Sequence, residues 1–144
     1  MLCRGHDMPS FSIFDIAGFG MSAQSVRLNT TASNLANADS VAATPEASYR
    51  AKHPVFQAVE PAVAGPTSDA AVRVAGVIES TDAPERRYQP GHPLADAEGY
   101  VYTPRVNIVD EMVNMISASR SYQNDVEVMK TARDLLLATL KIGQ

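Results

Sequence analysis

Residues 108–142 read IVDEMVNMISASRSYQNDVEVMKTARDLLLATLKI, a run free of proline and glycine. Ile108, Met115, Tyr122, Met129 and Leu136 recur every seven residues along it. Met112, Ser119, Val126 and Leu140 fill most of a second row, which Arg133 interrupts. A seven-residue repeat sustained over this length is the pattern of a coiled-coil helix, since a short globular helix has no need of so long a register. Asn107 stands where a side chain can cap the first turn, and Asp110 and Glu111 suit the positive end of the helix dipole. Glu127 with Lys130 and Lys130 with Asp134 add spacing-matched ion pairs, each worth ~0.3 kcal/mol. Gly143 supplies a stop. The spacing predicts a helix over 108–142, roughly 52 Å long at 1.5 Å per residue.

A matching seam lies at the other end. Phe14, Met21, Leu28 and Leu35 are also seven apart, and Gly18, Ser25 and Ala32 follow the first three by four residues. Those small residues let a neighbouring helix approach closely. Ser12 and Asp15 have capping-box spacing, with Phe11 and Ile16 placed as a staple, so the helix is expected over 13–37, roughly 37 Å. Between Ser12 and Asn37 only Asp15 and Arg27 carry charge. Asn29, Thr30, Thr31, Ser33, Asn34 and Asn37 are mediocre helix formers, so the segment is marginal alone in water. Two readings stand: a helix enclosed by other protein on most sides, or an amphipathic helix with a neutral polar outer face.

The stretch between the helices differs in kind. Seven of the nine prolines fall at positions 45 to 93, which excludes long helices there. Val72, Val74 and Ile78 alternate with Arg73 and Glu79, and Tyr100 to Tyr102 are bounded by Gly99 and Pro104; both read as short strands. Tyr49 to Lys52 is a weaker third candidate. The expected architecture is mainly α with a small β-rich insertion: long, coiled-coil-type N- and C-terminal helices packed together in an elongated molecule. Its parts are a disordered leader at 1–9, paired terminal helices in 10–40 and 104–144, and a proline-containing β-rich module at 41–103.

Composition narrows the function. The 144 residues are 45% hydrophobic but only 6% aromatic, with no tryptophan, and the net charge is -4. There is no basic footprint for nucleic acid. Cys3 is the only cysteine, which excludes an intrachain disulfide and a multi-cysteine metal site. No apolar stretch is long enough to span a bilayer, and the first nine residues lack the apolar core of a secretory signal. Export would therefore proceed without a cleaved signal. Met1 to Asp7 reads as a dispensable leader, or translation starts at Met8.

The histidines are His6, His53 and His92, none in a zinc-protease or nucleophile context. His92, Asp96 and Glu98 form the densest cluster, yet between Pro93 and Gly99 the same residues make good turn chemistry. Gly18 and Gly20 lack the preceding strand and third glycine of a nucleotide loop, and Met112, Met115 and Met129 read as seam fillers. No catalytic residue, cofactor, metal site or small-molecule substrate is assigned.

Phe14-Asp15-Ile16-Ala17-Gly18, Met21-Ser22-Ala23-Gln24 and the run from Arg27 to Ala38 with its Asn34-Leu35-Ala36-Asn37 ending resemble the start of the bacterial flagellar rod protein family. The continuation Asp39-Ser40 is similar to the proximal-rod branch of that family. Val72 to Gly76, Pro90 to Val101, and Val106 to Gln144, most of all Glu111 to Gln123, resemble the same family, so the likeness covers 11–144. The resemblance implies a structural subunit of the basal-body rod in the periplasm, exported unfolded through the flagellar type III apparatus. It implies assembly with other rod proteins and further copies of the chain above the membrane ring. It also implies terminal segments that form an inner helical layer and are often disordered in the free subunit. On this reading Phe14, Met21, Leu28, Leu35, Ile108, Met115, Tyr122, Met129 and Leu136 are packing residues, and Asn34 and Asn37 make intersubunit hydrogen bonds. A soluble helical adaptor or chaperone using the same seams is the alternative.

Overall fold

The structure, a computed structural model, describes residues 9–59 and 71–142, with side chains from residue 13 onward. Residues 1–8 of the expected leader, Cys3 among them, lie outside the described residues, as does Gly143, while Pro9 already belongs to the first helix. Two helices, α1 (Pro9–Ala36) and α2 (Ile108–Ile142), bracket four strands: β1 (Lys52–Val59), β2 (Ala71–Glu79), β3 (Glu85–Tyr88) and β4 (Tyr100–Thr103).

α1 opens at Pro9, earlier than the spacing at Ser12 predicts, because the proline ring pre-sets the backbone angle of a first helical turn. Ser12 thus lies inside the helix and is no cap. α2 begins where expected. The Asn107 side-chain oxygen accepts hydrogen bonds from the amides of Val109 at 3.0 Å and Asp110 at 3.4 Å, and its carbonyl accepts from Glu111 at 3.0 Å.

The helices run antiparallel. Gly18 lies level with Met129, and Gly20 with Asp125, where added β-carbons would come within 3.7 Å and 2.7 Å of those side chains. Two turns on, the Arg27 guanidinium donates to the Asn114 side-chain oxygen at 2.9 Å.

β1 and β2 form one antiparallel two-stranded ribbon, with Lys52 opposite Glu79, Val59 opposite Ala71, and a bulge between Val55 and Phe56. β3 and β4 form a second, from Glu85 opposite Thr103 to Tyr88 opposite Tyr100, and Ala42 bridges Tyr102 beside it. The first ribbon packs against α1 alone, so α1 lies between α2 and the ribbon.

The buried interior is small. Its apolar members are Ala17, Ala23, Ala38, Ala51, Val101, Ala118 and Ala132, and the largest fully buried side chains among the described residues are Val101 and Asn34. Alanines at the helix contact permit close approach but remove little apolar area from water, since each buried methylene is worth only about 0.8 kcal/mol.

Candidate functional site

The best-formed polar structure sits where the end of α1 meets the start of β1. Asn34 is 1% exposed, and its carboxamide matches the backbone of Lys52 on both sides. The side-chain Nδ2 donates to the Lys52 carbonyl at 2.9 Å, and Oδ1 accepts the Lys52 amide at 2.8 Å. The amide of a side chain thereby stands in for the partner that the first residue of an edge strand lacks, and protects that edge. Oδ1 also accepts the Tyr49 hydroxyl at 2.9 Å, which lies 3.0 Å from Ser33 Oγ. One turn of α1 is thus bonded to both the loop and the strand that follow it. Asn37 turns inward too, Nδ2 donating to the Ser33 carbonyl at 2.8 Å. In the single chain, then, Asn34 is occupied within the fold and Asn37 makes a local helix-end bond.

Beside this joint a cleft of about 340 Å³ opens between α1, α2 and β1, lined by Arg27 and Thr31, by Lys52, His53, Pro54 and Phe56, and by Glu111 and Asn114. The Lys52 ammonium is turned toward the Tyr49 ring, 5.9 Å from its centroid.

The predicted seam residues divide by burial. Phe14, Met21, Leu28, Leu35, Met115, Met129 and Leu136 are half-buried, whereas Ile108 and Tyr122 are each 37% exposed. The innermost row of α2 is Glu111, Ala118 and Ala132, again on a seven-residue spacing, with half-buried Asp125 completing it. Large apolar side chains therefore flank a strip of small and polar ones. Burial also pushes the Asp125 carboxyl above its usual value.

The outer surfaces of the two helices contrast. α1 exposes Ile13, Phe19, Ser22, Asn29, Ala32 and Ala36, with Asp15 the one exposed charge among its described side chains. α2 exposes Val109, Met112, Val113 and Ile116 near its start and Leu135, Leu137 and Leu140 near its end. Between them lie charged residues including Arg120, Glu127, Lys130 and Arg133.

The His92 cluster is turn chemistry. His92 Nδ1 accepts the Leu94 amide at 3.1 Å, and Asp96 Oδ1 accepts those of Glu98 and Tyr100, both at 2.9 Å. The bond from the Tyr100 amide is the chief reason the Asp96 carboxyl is held below its usual value. Arg86 reaches across from β3 to Glu98 and lies 3.8 Å over the Tyr100 ring, and the bond to Glu98 raises its affinity for its proton. Among the described residues no group of three His, Cys, Asp or Glu side chains is placed to hold a metal, and no helix is long and apolar enough to cross a membrane.

Two long end helices around a small β insert, with apolar rows left exposed along α2, are the build of a structural assembly protein. Residues 14–43, α1 and the turn after it, match the family described as flagella basal body rod protein. Residues 97–142, β4 through α2, match the C-terminal family of flagellar basal body rod FlgEFG proteins. The chain is 55% identical over 138 residues to the flagellar basal-body rod protein FlgC of Salmonella typhimurium, an alignment spanning 95% of this chain and 100% of that one. FlgC of Escherichia coli O6:H1 is 54% identical over 137 residues, and FlgC of Buchnera aphidicola subsp. Schizaphis graminum 40% over 141, with the same coverage. The chain belongs to the FlgC family of flagellar basal-body rod proteins.

Proposed function

We propose that this chain is a non-catalytic structural subunit of the proximal rod, joined to other rod proteins and to copies of itself through coiled-coil-type contacts of α1 and α2, and that it transmits torque through them. The observation that carries this reading is the mismatch between core and surface. The interior closes on alanines, Val101 and Asn34, while Val109, Val113, Ile116, Leu135 and Leu140 are each more than half exposed on α2. Unpartnered apolar rows on a long helix mark a surface that another helix covers. The nearly uncharged outer face of α1 supports the same reading, because neutral small and polar side chains suit enclosure by neighbours.

In this role the subunit leaves the cytoplasm through the flagellar type III apparatus without a cleaved signal and assembles above the membrane ring in the periplasm. Helices with so little apolar burial of their own can pass a narrow channel unfolded and gain stability on assembly. The seam residues Phe14, Met21, Leu28, Leu35, Ile108, Met115, Tyr122, Met129 and Leu136 supply the packing, and Asn37 on the rim of α1 remains the candidate for a polar contact between subunits.

Leu28→Asp tests the reading, because it buries a carboxylate in the seam. In cells lacking their own copy, the variant should be expressed normally yet fail to build a rod or swim. Normal swimming would refute the seam as the assembly surface.

A further inference from the structure

Lysine and arginine keep their charged heads in water wherever a fold lets them. Among the described residues all of them are exposed except Arg27 and Lys52, which are half-buried. Both line the cleft between α1, α2 and β1. Neither has a carboxylate within 4.0 Å among the described residues. Their contacts are neutral: the Arg27 guanidinium donates one bond to Asn114, and the Lys52 ammonium faces the Tyr49 ring. A guanidinium has five donors and an ammonium three, so most of this donor capacity is open to a further partner. Glu111 is the one carboxylate in the lining, so two fixed positive charges stand against a single negative one.

That excess fits an acidic occupant. A carboxylate takes paired bonds from a guanidinium fork and a single one from an ammonium, and it brings the charges of the cleft into balance. A neutral side chain would leave the positive excess standing, and a basic one would add to it. The cleft also adjoins surface that a protein segment can cover. Met112 and Val113, next in sequence to Glu111 and Asn114, are 50% and 60% exposed. We propose that the cleft is a socket for an aspartate or glutamate side chain of an adjoining rod subunit, held by Arg27 and Lys52, on a segment whose apolar residues cover the start of α2. The proposal rests on the rod-subunit reading and adds a defined point of contact to it.

The test uses the full chain in cells lacking their own copy. Restoration of swimming by the parent chain checks the rod reading first, and its failure would overturn that reading and the socket with it. Lys52→Gln then removes one charge while the backbone of residue 52 keeps its bonds to Asn34. The purified variant should melt within about 3 °C of the parent, because Lys52 has no ion pair inside the chain to lose. In cells it should lose swimming, since removing one partner from an enclosed interfacial charge pair weakens the contact about 30-fold or more. Lys52→Arg keeps the charge and should swim. A photo-crosslinking residue at Phe56, on the cleft wall, should capture a rod subunit through a segment containing aspartate or glutamate, and Lys52→Gln should abolish the adduct. Normal swimming of Lys52→Gln would overturn the socket, as would loss of swimming in Lys52→Arg. A marked fall in the melting temperature of Lys52→Gln would place the lysine's role inside the chain and overturn it as well. So would an adduct on a segment without an acidic residue. Binding of inorganic phosphate by the purified parent chain, with no protein captured in cells, would give the cleft to a free anion instead.

Discussion

Replacing Asn34 by leucine removes three hydrogen bonds at one point: those to the Lys52 carbonyl, from the Lys52 amide and from the Tyr49 hydroxyl. Leucine keeps the branched skeleton of the asparagine side chain, so no cavity opens and the leading cost is polar. At about 1 kcal/mol net for each bond, the loss comes to about 3 kcal/mol, and it rises where the groups left behind find no water. For a chain of this length that is a fall in melting temperature of roughly 6–12 °C. Urea unfolding of the purified chain should show a lower midpoint with an unchanged slope, the mark of altered stability with the same surface exposed. Tyr49→Phe should cost about 1 kcal/mol, and the double variant should fall short of the sum of the two by ~0.5 kcal/mol or more, because both act on Oδ1 of Asn34. Asn34→Asp adds a signature of its own. Its carboxylate accepts the same two bonds but faces the Lys52 carbonyl, which favours the protonated form in the fold, so this variant should regain stability as pH falls. An Asn34→Leu chain within ~0.5 kcal/mol of the parent would refute the strand-mimic account.

Gly99 has φ +83°, and an added β-carbon would lie 3.0 Å from the Tyr88 ring and 3.1 Å from Pro90 Cβ. Gly99→Ala should therefore lower stability by about 1–3 kcal/mol in urea unfolding, and an unchanged midpoint would contradict the backbone assignment. Asp125 has a carboxyl pushed up by burial against α1. A carboxyl whose folded pKa exceeds its unfolded one removes stability above that folded pKa and returns it as pH falls. Asp125→Asn should thus be more stable than the parent at neutral pH, with the gap closing on acidification through the carboxylate range. A gap constant with pH would show that the charge is not the cause.

The seven-residue rows from Ile108 and from Phe14 made both end helices legible, because that period persists whatever the helix packs against. β2 and β4 were legible for a similar reason, as alternation and Gly99 survive without knowledge of partners. β1 was largely hidden. Pro54 argues against a strand, and inside-outside alternation lasts only from Lys52 to Val55, before Phe56, Gln57 and Ala58 are all exposed. β3, Glu85–Tyr88, is charged and wholly exposed, and it holds its shape through pairing with β4 and the reach of Arg86 to Glu98. The innermost row of α2, Glu111, Ala118, Asp125 and Ala132, escaped notice because alanine carries almost no periodic hydrophobic signal. Asn34 was expected to bond a neighbouring subunit, whereas within the chain its carboxamide bonds Lys52, 18 residues away across a loop. Nothing in local spacing shows that a carboxamide will complete a strand edge.

The arrangement fixes how a load crosses the subunit. The β1–β2 ribbon packs against α1 and not α2, so force on the ribbon enters the helix pair at α1. α1 meets that demand with bonds at one end and packing along its length. Asn34 fixes its last turns to β1, Arg27 ties its middle to Asn114, and Gly18 and Gly20 draw α2 close near its start. Each link is modest, on the order of 1 kcal/mol, and no large core backs them. A subunit built this way is stiff only when its remaining faces are also held. The nearly uncharged face of α1 and the apolar rows of α2 are the two places where neighbours would supply that support.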